Sequence, residues 1–79
     1  MEKSIPRKVR ELRNTVNGNV AALMAVKGYT KDQMAALIGM SRASLNNRLS
    51  GSNTWTCDDI ALIAKAAQCE PEQILRKIF

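Results

Sequence analysis

Residues 30–51, TKDQMAALIGMSRASLNNRLSG, constrain the fold more than any other stretch of the chain. Thr30 has the chemistry of a helix N-cap, and Gln33 three residues later completes a capping box. Met34, Ala35, Leu37 and Ile38 then recur at helical spacing. Gly39 stops this first helix, because glycine takes a left-handed backbone at little cost. Ser41 caps a second helix whose Leu45 and Leu49 form one buried stripe, and Gly51 ends it. The small side chains of Ala35 and Ala36 suit a close crossing of the two helices. Two short helices joined by so tight a turn make a helix-turn-helix, whose second helix can lie in a DNA major groove.

The flanks read as helices too. Residues 1–15 carry Ile5, Val9 and Leu12 among Lys3, Arg7, Lys8, Arg10 and Arg13, with Val16 continuing the stripe. They form either a short amphipathic helix, capped by Ser4 with Pro6 in its first turn, or a basic arm that orders on DNA. Asn17-Gly18-Asn19 is the expected break, although the cost of a helical glycine, about 1 kcal/mol against alanine, leaves one bent helix from Pro6 to Lys27 open. The stripe Val20, Leu23, Met24 leads to a stop at Gly28. Tyr29 precedes the Thr30 cap and can staple onto Met34. After the polar loop Ser52-Asn53-Thr54, Thr56 caps a fourth helix with Asp58 and Asp59 in its first turn. Trp55 either staples onto Ile60 or lies on DNA backbone. Ile60, Ile63, Ala64 and Ala67 make the core stripe of that helix. A last helix opens at Glu70-Pro71 and runs through Ile74, Leu75 and Ile78 to Phe79. The expected fold is therefore all-α: a compact bundle of five short helices, with or without a sixth at the N-terminus. Residues 1–15 are the arm, and residues 16–79 the domain that contains the helix-turn-helix.

Charge gathers where that motif lies. The 79 residues hold 12 Lys and Arg against 7 Asp and Glu, a net +5. Residues 1–13 contribute five basic and two acidic side chains, and residues 27–48 four basic and one acidic, a net +3 each. Residues 49–79 carry a net −1. An uneven basic surface of this kind is the footprint of a polyanion binder. Three aromatic residues leave the core to aliphatic side chains. No apolar run is long enough to span a membrane, and the basic N-terminus lacks the apolar stretch of a secretory signal, so a cytoplasmic protein is expected. Cys57 and Cys69 lie twelve residues apart on or near one helix, roughly 18 Å, beyond disulfide reach. They read as reduced small hydrophobes. With no histidine and no CxxC, no metal or cofactor is expected.

The outward face of the second motif helix separates the function classes. If Leu45 and Leu49 point to the core, Asn47 falls straight outward and Ala43 about 40° from it, and Ser44 and Asn46 flank them. This face is small and hydrogen-bonding, as base edges require, whereas an adaptor needs apolar or acidic residues there. Arg42, first after the Ser41 cap, has a fork that matches guanine O6 and N7, although its angle lies nearer the core. The base-reading candidates are Arg42, Ala43, Ser44, Asn46 and Asn47. Phosphate contacts are expected from Thr30, Lys31, Ser41, Arg48, Ser52 and Asn53, and from Arg7, Lys8, Arg10 and Arg13. An enzyme is not expected: no Gly-rich phosphate loop or Cys–His pair is present, and Asp58 and Asp59 diverge by about 100° on a helix. Single-stranded RNA lacks its aromatic platform.

Residues 30–51 and their flanks resemble the Cro and phage-repressor (lambda-repressor-like) helix-turn-helix family. The matching pieces are NVAALMAVKGYT, the motif itself and WTCDDIALIAKAAQCEPEQIL, together roughly residues 16–75. Two departures matter. Lys31 stands where the family often has Gln, and Arg48 stands where one variant has a hydrophobe, whose role here passes to Leu49. The resemblance implies a transcriptional regulator, a repressor of phage or prophage type that binds a double-stranded DNA operator as a homodimer. Residues 41–50 are then the recognition helix. Leu62, Ile74, Leu75, Ile78 and Phe79 offer apolar surface for the dimer. The alternative is a protein-interaction module, antitoxin-like or an adaptor, built on the same fold.

Overall fold

The computed structural model describes residues 6–76. Its elements are α1 (Arg7–Lys27), α2 (Lys31–Leu37), α3 (Arg42–Ser50), α4 (Cys57–Ala67) and α5 (Pro71–Leu75). No strand occurs among the described residues, and the fold is all-α as the helical periodicity requires. Expectations that fall on Ser4, Ile5, Ile78 and Phe79 lie outside the described residues.

The largest departure from expectation is α1. It is continuous for 21 residues, with no break at Asn17-Gly18-Asn19. Local chemistry disfavours helix there, but tertiary contacts outweigh it. Val16 and Val20 on either side are buried. Asn19 is buried as well, and its Nδ2 donates to the carbonyls of Ile74 at 2.8 Å and Arg76 at 2.6 Å. Asn17 accepts a hydrogen bond from the Trp55 indole Nε1. The two asparagines thus tie α1 to α5 and to the loop before α4, and helix is the conformation that aims them there. Pro6 is the N-cap of α1, not a first-turn residue, and has extended backbone.

Asn19 also explains why α5 is shorter than its apolar residues suggest. With the Ile74 and Arg76 carbonyls engaged by its side chain, the helix ends at Leu75 and Arg76 is extended. Ile74 is only 5% exposed and belongs to the core. Every helix contributes to that core: Val16, Val20 and Met24 from α1, Met34 and Ala35 from α2 with Ile38 at its end, Leu45 from α3, Ile60, Ile63 and Ala64 from α4, and Ile74 from α5. Tyr29, Leu49 and Trp55 pack against it partly buried. Trp55 therefore follows the packed alternative, its N–H taken by Asn17. Leu37 and Ala36 face solvent, so Ala35 alone provides the small buried residue of α2.

The cap chemistry of residues 30–51 and of α4 is present in both reciprocal bonds. Gln33 amide donates to Thr30 Oγ1 at 3.1 Å and Thr30 amide to Gln33 Oε1 at 2.8 Å. At α4, Asp59 amide donates to Thr56 Oγ1 and Thr56 amide to Asp59 Oδ2, both at 3.0 Å. Asp59 does more than cap. The same Oδ2 receives Arg48 Nε of α3 at 2.7 Å, with the two side chains 18% and 10% exposed. This is a largely buried pair between α3 and the first turn of α4.

Burial is the largest single influence on Asp59 and works to raise its pKa. The Thr56 amide, the Arg48 hydrogen bond and charge, and the Thr56 hydroxyl together outweigh it, and the carboxyl sits below its ordinary 3.8. Because the folded value is depressed, the stabilisation is complete above the unfolded-chain value and is lost as pH falls through the folded one. Asp59→Asn keeps the shape but removes the charge. It is expected to lower stability by about 1–3 kcal/mol at neutral pH and to flatten the acid limb of the stability–pH curve, measured by urea unfolding. An unchanged acid limb would remove Asp59 from this role. Gly18 is exposed in mid-helix, and a Cβ there meets nothing within 4 Å. Gly18→Ala is therefore expected to raise stability by about 0.5–1 kcal/mol, read as an increase in Tm.

Candidate nucleic-acid interface

The α2–α3 turn begins where the last turn of α2 closes on itself. Gly39 takes φ +70, its amide donates to the Ala36 carbonyl at 3.3 Å, and the Met40 amide reaches the Ala35 carbonyl at 3.0 Å. These two bonds satisfy carbonyls that the helix end would otherwise leave open. Ser41 then caps α3: its Oγ accepts from the Ser44 amide at 3.1 Å and lies 3.1 Å from the Ser44 hydroxyl. One residue of α3, Leu45, is fully buried, which anchors the helix by its inner face.

The opposite face is open. Arg42, Ala43 and Asn47 are exposed, and Ser44 and Asn46 are half-buried. The Ser44 hydroxyl already has Ser41 as a partner, whereas the Asn47 carbonyl is engaged and its side chain is not. Arg42 NH1 lies 3.6 Å from Asp32 Oδ2 on α2. Both groups are more than half exposed, so the pair contributes at most about 1 kcal/mol and leaves the guanidinium fork free to exchange partners.

The phosphate candidates divide by environment. Thr30 and Lys31 are exposed at the start of α2, where amides and dipole favour an anion. Ser52 and Asn53 are exposed in a loop that folds back on α3, through Asn53 amide to Asn47 carbonyl at 3.1 Å and Ser50 Oγ to Ser52 Oγ at 3.2 Å. Arg7, Lys8 and Arg10 are exposed on α1, Arg13 is half-buried, and Arg7 pairs with Glu11 at 3.2 Å. Arg48 differs from all of these. Its Nε is held by Asp59 and its NH1 by the Ser44 carbonyl at 3.3 Å. These bonds make it a support of α3, and a neutralised, mostly buried guanidinium has little charge to offer the phosphate expected of it from sequence.

The dimer candidates differ in exposure. Leu62 and Leu75 are each about two-fifths exposed, while Ile74 is inside. Cys57 and Cys69 are both free thiols. Among the described residues, no three His, Cys, Asp or Glu side chains come together to hold a metal, and no helix is long and apolar enough to cross a membrane.

Local reading of the sequence misses four features here: the Arg48–Asp59 pair, the Asp32–Arg42 pair, and the tertiary bonds of Asn17 and Asn19. Their partners lie between 10 and 57 residues apart, with no periodic or capping rule to announce them.

The family model for the Cro/C1-type HTH DNA-binding domain matches residues 19–79. No curated protein and no solved structure matches the chain. With capped helices, a glycine turn and a seated second helix all inside the matched region, the chain belongs to the Cro/C1-type helix-turn-helix family of DNA-binding domains.

Proposed function

We propose that this DNA-binding domain is a sequence-specific transcriptional regulator, a repressor of phage or prophage type that occludes a promoter by occupying an operator. Its recognition helix is α3. The observation that carries this reading is the division of α3 into two faces. Leu45 and Arg48 are committed inward, and Arg42, Ala43 and Asn47 are exposed outward. A small, polar, outward face on an anchored helix suits base edges. The protein binds as a two-fold dimer, with two such helices one turn of DNA apart, roughly 34 Å. Leu62, together with Ile78 and Phe79, supplies the contact between copies, and Leu75 is left out of it. Selection of bound sequences from a random duplex library tests class and symmetry together. An inverted-repeat motif is expected, and a library that stays unenriched would refute specific recognition.

Lys31 is assigned to phosphate. Lys31→Ala is expected to weaken binding to all duplexes about equally and to lower the slope of log K against log salt by roughly one unit. A loss confined to one sequence would contradict the assignment.

Arg42 is assigned to guanine and Asn47 to adenine, with Ala43 against a thymine methyl and Ser44 and Asn46 in secondary contacts. Asn47→Ala and Arg42→Ala are each expected to relax preference at one base pair per half-site, worth about 1–3 kcal/mol, with Tm nearly unchanged. Affinities for all single-base variants of the selected site provide the check. A uniform drop would make these residues backbone contacts, and no drop would take them out of the interface.

A further inference from the structure

An apolar groove of about 620 Å³ runs beside the N-terminal half of α1. It is lined by Val9, Leu12 and Val16 of α1, by Trp55 and Ile60, and by Leu75 of α5. Val9, Leu12 and Leu75 are three of the six large hydrophobic residues left exposed among the described ones. The groove follows α1 from Val9 to Val16, roughly 10 Å, which is two turns of a helix laid alongside.

Its charge is one-sided. Arg13 is the one charged side chain among the lining residues. On a helical projection of α1, Lys8 and Arg13 flank the Val9, Leu12, Val16 stripe at about 70° on either side. Glu11, the acidic residue of this half-helix, is turned about 130° away and is paired with Arg7. Across the groove, Asp59 is consumed by Arg48, Asp58 is turned about 130° from the Cys57 and Ile60 face, and Glu70 and Glu72 adjoin the lining Pro71 in sequence without lining the groove themselves. A second copy would bring another α1 of net +3 over residues 7–13 against the same basic flanks, and like charges oppose that approach.

We propose that this groove docks an amphipathic helix from an acidic protein partner, its apolar stripe against Val9, Leu12, Trp55 and Leu75 and its carboxylates toward Lys8 and Arg13. The interaction needs no DNA and stands apart from the reading face of α3. Trp55 is the sole tryptophan of the chain and lies in the groove, so its emission reports occupancy directly.

The probe is a synthetic helical peptide of about 15 residues, with Leu at i, i+3, i+4 and i+7 and Glu on both flanks. Its counterpart has Lys for every Glu. The Glu peptide is expected to shift Trp55 emission saturably, and the Lys peptide to bind at least about tenfold more weakly. Leu12 is 47% exposed, so Leu12→Glu is expected to keep the helical circular dichroism while weakening the Glu peptide at least about tenfold. Equal binding of the two peptides, no saturable shift with either, or indifference to Leu12→Glu would overturn the proposal. Sedimentation in which the free chain self-associates and Leu12→Glu makes it monomeric would assign the groove to a second copy and overturn it equally.

Discussion

The Arg48–Asp59 pair is the interaction on which the geometry of the outward face of α3 depends. Helix α3 has nine residues and one fully buried side chain. A helix that short is marginal on its own in water, and buried Leu45 with half-buried Leu49 makes only a narrow apolar stripe. A second attachment on the inner face reinforces that stripe. Arg48 supplies it at 2.7 Å from Asp59, three residues after Leu45 on the same side of the helix. Asp59 is itself fixed by the Thr56 cap of α4. The orientation of α3 is thus referred to the most regular part of the core, through a carboxylate that serves as helix cap and as counter-ion at once.

That arrangement has a consequence for composition. A helix that must present polar side chains to base edges has few positions left for hydrophobic anchoring. A buried ion pair restores directional attachment without widening the apolar stripe, and its orientation is more specific than that of another leucine. Polar attachment recurs on α1, where Asn17 and Asn19, between buried Val16 and Val20, lock the helix to Trp55 and to the end of α5 with hydrogen bonds.

Much of this was legible in the sequence wherever the physics is local. Thr30 and Gln33 are three residues apart, so their capping box announces itself, and Thr56 reads as the cap of α4, although the return bond from Asp59 does not. Gly39 marks its turn because few other residues take that backbone. Leu45 and Ile63 fall on their stripes. The misses share one cause, which is that long-range polar pairing leaves no local trace. Asn17-Gly18-Asn19 reads as a helix breaker by propensity, yet two of the three residues are tertiary fasteners that make helix the better state. Arg48 reads as a surface base until Asp59 is found beside it. Ile74 reads as spare apolar surface until α5 is seen to end just after it, with its carbonyl in the grip of Asn19.

On the proposed function, the outward face of α3, held in place from behind by Asp59, is the surface that meets DNA. Backbone amide chemical shifts followed while duplex DNA is titrated into the isotopically labelled protein test it most directly, because they report every position at once and need no prior operator. The account predicts that the largest changes gather at Lys31, Arg42, Ala43, Asn47 and Asn53. Changes that gather elsewhere while the α3 amides stay still would contradict it, as would a titration that moves no amide.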